Sequence, residues 1–186
     1  MNAGRPLLET ERLRLEPWLP GHGVMLARLA AMPDVMRHVG TGATWTPAEA
    51  EGHSARALVH WRSHGFGWRA ACERGSGRRV GLIALNFAGR DVPELADDDY
   101  EIGWWIDPAY WGRGYATEGG KAIRDEAFDR LGAPSVVARI HPDNAASAKV
   151  AAALGLTPAR DGTTRHGVPV RIHRLVAAAV GGGPRG

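Results

Sequence analysis

The stretch Tyr110-Trp111-Gly112-Arg113-Gly114-Tyr115-Ala116-Thr117-Glu118 places two glycines and small side chains between a strand and a helix. Small residues let a ligand come close to the backbone. The unpaired N–H groups of a helix start, with the helix dipole behind them, can bind phosphate oxygens. Two common phosphate motifs do not fit. A dinucleotide fingerprint needs a third glycine where Thr117 stands, and no second βαβ half follows. A P-loop needs glycine six residues before its lysine and Ser or Thr after it; at Lys121 these positions hold Tyr115 and Ala122. Two further side chains could move protons. Glu101 lies in Tyr100-Glu101-Ile102-Gly103-Trp104-Trp105-Ile106, on the face opposite Ile102, Trp104 and Ile106. A carboxylate amid apolar neighbours is pushed toward neutral pKa and can serve as a base, through water, or it can form a structural ion pair. Ser147 lies one turn beyond Asn144, where a hydroxyl can be an acid or a helix cap.

These groups need a scaffold. The chain has 186 residues, 44% hydrophobic and 23% charged, which suits one globular α/β domain with a core of its own. Its 25 glycines and 12 prolines imply many short elements and argue against a helix bundle. Residues 11–18 alternate as a half-buried strand, and 20–32 carry apolar residues at helical spacing. Thr46-Pro47-Ala48-Glu49 is a helix start with a capping box, and that helix runs to His64 before Gly65 and Gly67. A hairpin turns at Gly75-Ser76-Gly77 between 68–73 and 80–87. Strand 100–106, helix 114–131, strand 135–140, helix 145–154 and a terminal hairpin follow. The order βααβββαβαββ predicts a sheet of mixed strand direction.

The motifs, taken together, resemble the GNAT acyl-CoA-dependent N-acyltransferases, over residues 7–176. Residues 106–118 are similar to the ribosomal-protein (RimJ/RimL-like) branch of that family, in which Trp stands where Trp111 does, with Gly114 and Ala116 completing the family's glycine motif. Leu8-Glu9-Thr10-Glu11-Arg12-Leu13-Arg14-Leu15, the strand at 100–106 and Asn144-Ala145-Ala146-Ser147 through Leu154-Gly155-Leu156 resemble the same branch. The resemblance implies a GNAT fold spanning 7–177: a mixed central sheet of about seven strands, splayed between its fourth and fifth strands, with about four helices. Coenzyme A would thread the splay. Gly112, Arg113, Gly114, Tyr115, Ala116 and Thr117 would hold its pyrophosphate, Trp104, Trp105 and Ile106 would pair with the pantetheine arm, Asn144 would touch that arm, and Lys149 would lie near the adenosine phosphate. Glu101 would be the base and Ser147 the acid that protonates the thiolate, with an oxyanion donor near the Ile106 N–H. Acetyl-CoA, the implied co-substrate, would give its acyl group to an amine of a protein N-terminus or a small molecule by direct attack. A succinyl or other donor, and a non-catalytic acyl-CoA sensor, are the alternatives.

Several classes carry no support. A formal net charge of +3, without a block of like charges, points to no nucleic acid. No run of 18 apolar residues would span a membrane, and 178–186 reads as a flexible tail. Cys72 is the single cysteine, so no internal disulfide forms, which suits a cytoplasmic protein; it reads as a buried apolar group. His60 and His64, with His53 nearby, have zinc-like spacing but no further ligand signal, so no metal is expected. The acidic loop at 91–99 either attracts a cationic amine or is merely solvated, and exposed tryptophans would suit a homodimer.

Overall fold

The computed structural model describes residues 6–177; the tail expected at 178–186 lies outside them. The strands are β1 (Leu8–Glu9), β2 (Leu13–Pro17), β3 (Arg69–Glu73), β4 (Arg79–Phe87), β5 (Tyr100–Ile106), β6 (Ser135–Ile140), β7 (Thr157–Thr163) and β8 (Pro169–Val176). The helices are α1 (Gly23–Ala30), α2 (Pro33–Met36), α3 (Pro47–His64), α4 (Tyr115–Asp129) and α5 (Ala145–Ala153). One sheet runs β1-β2-β3-β4-β5-β6-β8-β7. Its pairs are antiparallel except β5 with β6.

The mixed α/β sheet matches the expectation, with one strand more. Two-residue β1 is too short to show alternation, and it pairs with β2 through Leu8↔Leu15 and Glu9↔Arg14. The extra helix is α2, a single turn that Pro33 starts after α1 has ended at Ala30. Helix α3 begins as its sequence dictates. The Thr46 hydroxyl accepts from the Glu49 N–H, and the Glu49 carboxylate accepts from the Thr46 N–H, closing the capping box. Gly65 ends that helix.

Two apolar layers cover the two faces of the sheet. On one, Ile83, Ile102, Ile106 and Val136 pack with Tyr115, Ile123 and Ala127 of α4 and Ala151 of α5. On the other, Leu82 and Ala84 pack with Leu26 and Leu29 of α1 and Ala50, Ala57 and Trp61 of α3. Each fully buried Leu or Ile contributes about 1.5–3 kcal/mol relative to an exposed one. The even run of inward residues on β4, buried on both sides from Val80 to Leu85, is what a central strand requires.

One charged pair lies inside this packing. Arg69 of β3 is fully buried and its Nη2 donates to Glu126 of α4 at 2.7 Å; its Nη1 donates to the Pro6 carbonyl at 2.6 Å. The guanidinium also lies over the Trp61 ring at 4.9 Å. Glu126 receives Arg130 as well, at 2.6 Å. A buried ion pair is tolerated because each guanidinium nitrogen and each carboxylate oxygen finds a partner. It pins the body of α4 to the sheet. Removing one partner should therefore be costly: Arg69→Ala is expected to lower unfolding free energy by about 3–5 kcal/mol. Urea denaturation measures this, and the double variant Arg69→Met/Glu126→Leu should recover most of the loss.

Candidate active site

The site starts where a ladder stops. Strand β5 pairs with β4 along its whole length, from Phe87↔Tyr100 to Gly81↔Ile106. It pairs with β6 only at Tyr100↔Val136 and Glu101↔Val137. Beyond Glu101 the two parallel strands diverge, so the β6-side edge of β5 has no strand partner there. A cleft of about 890 Å³ fills the opening and is lined by Trp104, Gly112, Thr117, Asn144 and Ser147 among others. Gly81 matters to this geometry. A Cβ at that position would lie 2.2 Å from the Trp105 carbonyl oxygen, so only glycine lets β4 press against the end of β5.

Glu101, the last paired residue of β5, bridges to Arg139, two residues beyond its partner Val137 on β6. Arg139 Nε donates to Glu101 Oε1 at 2.7 Å and Nη2 to Oε2 at 2.8 Å. Arg139 Nη1 also reaches Asp91 at 2.6 Å. Burial raises the Glu101 carboxyl above its ordinary value, while Arg139 pulls it down and does not fully offset the burial. Both carboxylate oxygens are thus engaged. Of the two roles open to Glu101, base and partner in an ion pair, the side chain occupies the geometry of the ion pair.

The glycine loop lies at the far end of β5. Gly112 and Gly114 have φ of 73° and 80°, a left-handed backbone that suits glycine, and Gly114 is the N-cap of α4. Gly112, Gly114 and Thr117 line the cleft at the positive end of a 15-residue helix. Arg113 is turned away over the Tyr110 ring, 5.1 Å from its centroid, and the Tyr115 side chain is buried with its hydroxyl on Glu73. Tyr115 lines the cleft and Arg113 does not. Trp111, half exposed, donates its indole N–H to the Ile106 carbonyl at 2.7 Å, which ties the loop to the strand end.

A second network holds the start of α4. Glu118 receives the Thr10 hydroxyl at 2.5 Å, the Arg12 N–H at 2.8 Å and Arg12 Nε at 2.7 Å. Arg12 Nη1 donates to the Arg113 carbonyl at 2.9 Å. Burial would raise the Glu118 carboxyl, but Thr10 and Arg12 outweigh it and hold it below its ordinary range. The opening Thr-Glu-Arg-Leu strand and the loop's closing Glu therefore form one unit. Similarly, Asp107 accepts from the Ala109 N–H at 2.9 Å and from Arg28 of α1. Burial would raise its carboxyl, and those two donors keep it low.

Helix α5 brings the remaining groups. Asn144 is its N-cap, its Oδ1 accepting the Ser147 N–H at 3.0 Å. Capping thus falls to Asn144 and leaves the Ser147 hydroxyl for other work. The Trp104 indole N–H donates to Ser147 Oγ at 3.3 Å, so a lone pair is occupied and the hydroxyl proton is free to point elsewhere. Lys149 is exposed at the rim of the cleft. Trp105 points to the opposite face and lies 5.2 Å from the Trp45 ring.

Other sequence candidates fall elsewhere. His60 and His64 pack edge-on or tilted against Phe66 and Phe87, and burial holds His60 near pKa 4; His53 stacks on Trp45 at 3.7 Å. Among the described residues no group of three His, Cys, Asp or Glu is arranged around a metal. Cys72 is buried, and burial with the nearby Glu16 pushes its thiol to about 11. The acidic loop is drawn into ion pairs: Asp91 with Arg139 and Arg165, and Asp99 with Arg174. Sequence reasoning missed Arg139, Gly81, and the Arg12–Glu118 contact. A lone arginine in the apolar run Ser135-Val136-Val137-Ala138-Arg139-Ile140 was the available signal for the first.

Residues 12–157 match the family model described as Acetyltransferase (GNAT) domain. A curated Aspergillus fumigatus protein, FsC-acetyl coenzyme A-N(2)-transacetylase, is 32% identical over 82% of this chain and 66% of its own length. The chain thus spans about two thirds of that relative. An acetyltransferase from Agrobacterium tumefaciens is 28% identical with a TM-score of 0.79, over 95% of this chain and 98% of that one. RimL, a ribosomal L7/L12 α-N-protein acetyltransferase solved in complex with coenzyme A, shares the fold at 16% identity and a TM-score of 0.73, over 91% and 97% of the two chains. The interrupted β5–β6 ladder, the glycine loop and these matches agree: the chain belongs to the GNAT acetyltransferase family and is an enzyme of that kind.

Proposed function

We propose that the protein transfers an acetyl group from acetyl-CoA to a primary amine, in a ternary complex and without a covalent enzyme intermediate. One observation carries this reading: an unpaired strand edge leads straight to a helix N-terminus, both open to one cleft. An extended arm bearing amides can add to the edge as a strand would, and a pyrophosphate can end on the amides of 112–117. Within that frame Trp104 and Ile106 offer backbone groups to the arm, while the Trp105 carbonyl faces β4 beside Gly81. Asn144 keeps its NH₂ for the same arm while its oxygen caps α5. Lys149, at the rim, faces the adenosine phosphate.

The amine must lose a proton before it attacks the thioester carbonyl, because an ammonium has no lone pair. Backbone N–H near Ile106 stabilises the oxyanion. As the C–S bond breaks, Ser147 gives its proton to the sulfur and regains one from the new amide nitrogen. Its hydroxyl is oriented for this by the Trp104 indole. The RimJ/RimL-like motifs favour an N-terminal α-amine as acceptor. The fungal relative, by its name, favours a small-molecule amine.

Thiol release with acetyl-CoA and succinyl-CoA, over a panel of amines and N-terminal peptides, tests the reading. Turnover with acetyl-CoA is expected. Neither binding nor turnover of any acyl-CoA would contradict it, and binding without turnover would point to a sensor. Ser147→Ala should lower kcat roughly 10²-fold with little change in KM for acetyl-CoA. Glu118→Gln should act the other way. With the Arg12 anchor loosened, KM for acetyl-CoA should rise roughly tenfold while kcat stays within about twofold.

A further inference from the structure

We infer that His38 is the group that takes the proton from the acceptor amine, with His141 holding it in place. This rests on the acetyl-transfer reading above. His38 follows α2, which packs on α1 over the face opposite α4 and α5. His141 follows β6 at the far end of the splay. The two segments meet through these side chains, with ring centroids 5.1 Å apart and planes at 29°, and both rings line the cleft.

A general base needs a lone pair that nothing else holds. The inner carboxylates of the cleft fail this: Arg139 grips both oxygens of Glu101, and Asp91 is shared between Arg139 and Arg165. Asp143 and Asp34 sit at the solvent side, 82% and 63% exposed, where water rather than a substrate amine meets them; Asp143 lies 3.8 Å from His141 and Asp34 is paired with Arg37. His141 Nδ1 accepts the Asp143 N–H at 3.2 Å, so the neutral ring carries its proton on Nε2 and has no lone pair to offer. His38 makes no hydrogen bond to any of the described residues, and one of its two nitrogens is a free acceptor when the ring is neutral. Arg37, itself paired with Asp34 at 2.8 Å, lies beside it on its own segment; His141 and Asp143 face it from the β6–α5 loop. Burial, then His141 and Arg37, lower the His38 pKa below 6.5, and Asp143 opposes them only in part. The ring is therefore neutral, and a base, at pH 7.

The proton balance is complete. The ammonium gives one proton to His38, which becomes imidazolium and later returns it to solvent. The free amine forms the C–N bond. The second nitrogen proton passes through Ser147 to the departing sulfur, leaving the amide and the free thiol. The matching of acid and base also selects an acceptor. An α-amine titrates near about 7.7–8.0 and a lysine amine near about 10.4, so an imidazole takes a proton far more readily from the former. N-terminal peptides and α-amino compounds should outrun ε-amines.

The test is the pH profile of kcat/KM for acetyl-CoA-dependent thiol release with an α-amine peptide. Wild type should lose activity as pH falls through an apparent pKa below 6.5, because protonation fills the His38 lone pair. His38→Gln should lower kcat roughly 10²-fold at pH 7.5, abolish that limb, and leave acetyl-CoA affinity unchanged. Imidazole added to His38→Gly should restore part of the rate. His141→Ala, which removes the ring stacked on His38, should lower kcat, and His141→Phe, which restores a ring without titrating, should recover part of that loss and keep the limb. If His38→Gln matches wild type across pH, or if Glu101→Gln removes the limb instead, His38 is not the base and the acetyl-transfer reading stands. If wild type releases no thiol with any amine, both fall.

Discussion

Two neighbouring strands of this sheet stop hydrogen-bonding after a single turn of the ladder, and the site is built around that interruption. Strands β5 and β6 share pairs only at Tyr100↔Val136 and Glu101↔Val137. Backbone N–H and C=O groups left unpaired inside a sheet must find water or another partner. The edge is therefore both a liability and a template. It favours a ligand that is extended, carries amides and can lie along the strand. The Glu101–Arg139 pair keeps the strands apart at a fixed point. It spans them with two short hydrogen bonds where the ladder fails, and Asp91 steadies Arg139 from a third element.

The second requirement is a helix that cannot shift. Helix α4 supplies the positive end of its dipole at Gly114, and an anion site works only if its donors are already oriented. Both parts of the helix are tethered. Thr10 and Arg12 hold Glu118 near the start, and Arg69 holds Glu126 near the end. These tethers come from the turn between β1 and β2 and from β3, so the far side of the sheet fixes the loop. Trp111 adds a third link by binding the Ile106 carbonyl. Cleft and loop are thus set at one distance by packed and hydrogen-bonded groups.

Much of this was legible in the sequence because local rules and the final packing agree. The capping box at Thr46 and Glu49, the boundaries of β5 and β6, and the start of α4 all follow from residue types a few positions apart. The glycine loop was legible because its chemistry is backbone chemistry, and glycine marks it. What escaped were pairings across long separations. Arg12 meets Glu118, Arg69 meets Glu126, and Arg139 meets Glu101, each bridging segments with no shared local pattern. The stacked His38 and His141 were invisible for the same reason. Two-residue β1 was missed because alternation cannot show in two positions. Ser147 was assigned two competing roles, and only the fold shows Asn144 doing the capping.

A structure with acetyl-CoA bound tests the central claim most directly. The pantetheine arm should lie as an added strand along β5 beyond Glu101, between Trp104 and Ser147, with the pyrophosphate on the amides of 112–117. A pyrophosphate bound away from that loop, or an arm that leaves the β5–β6 opening empty, would contradict the claim.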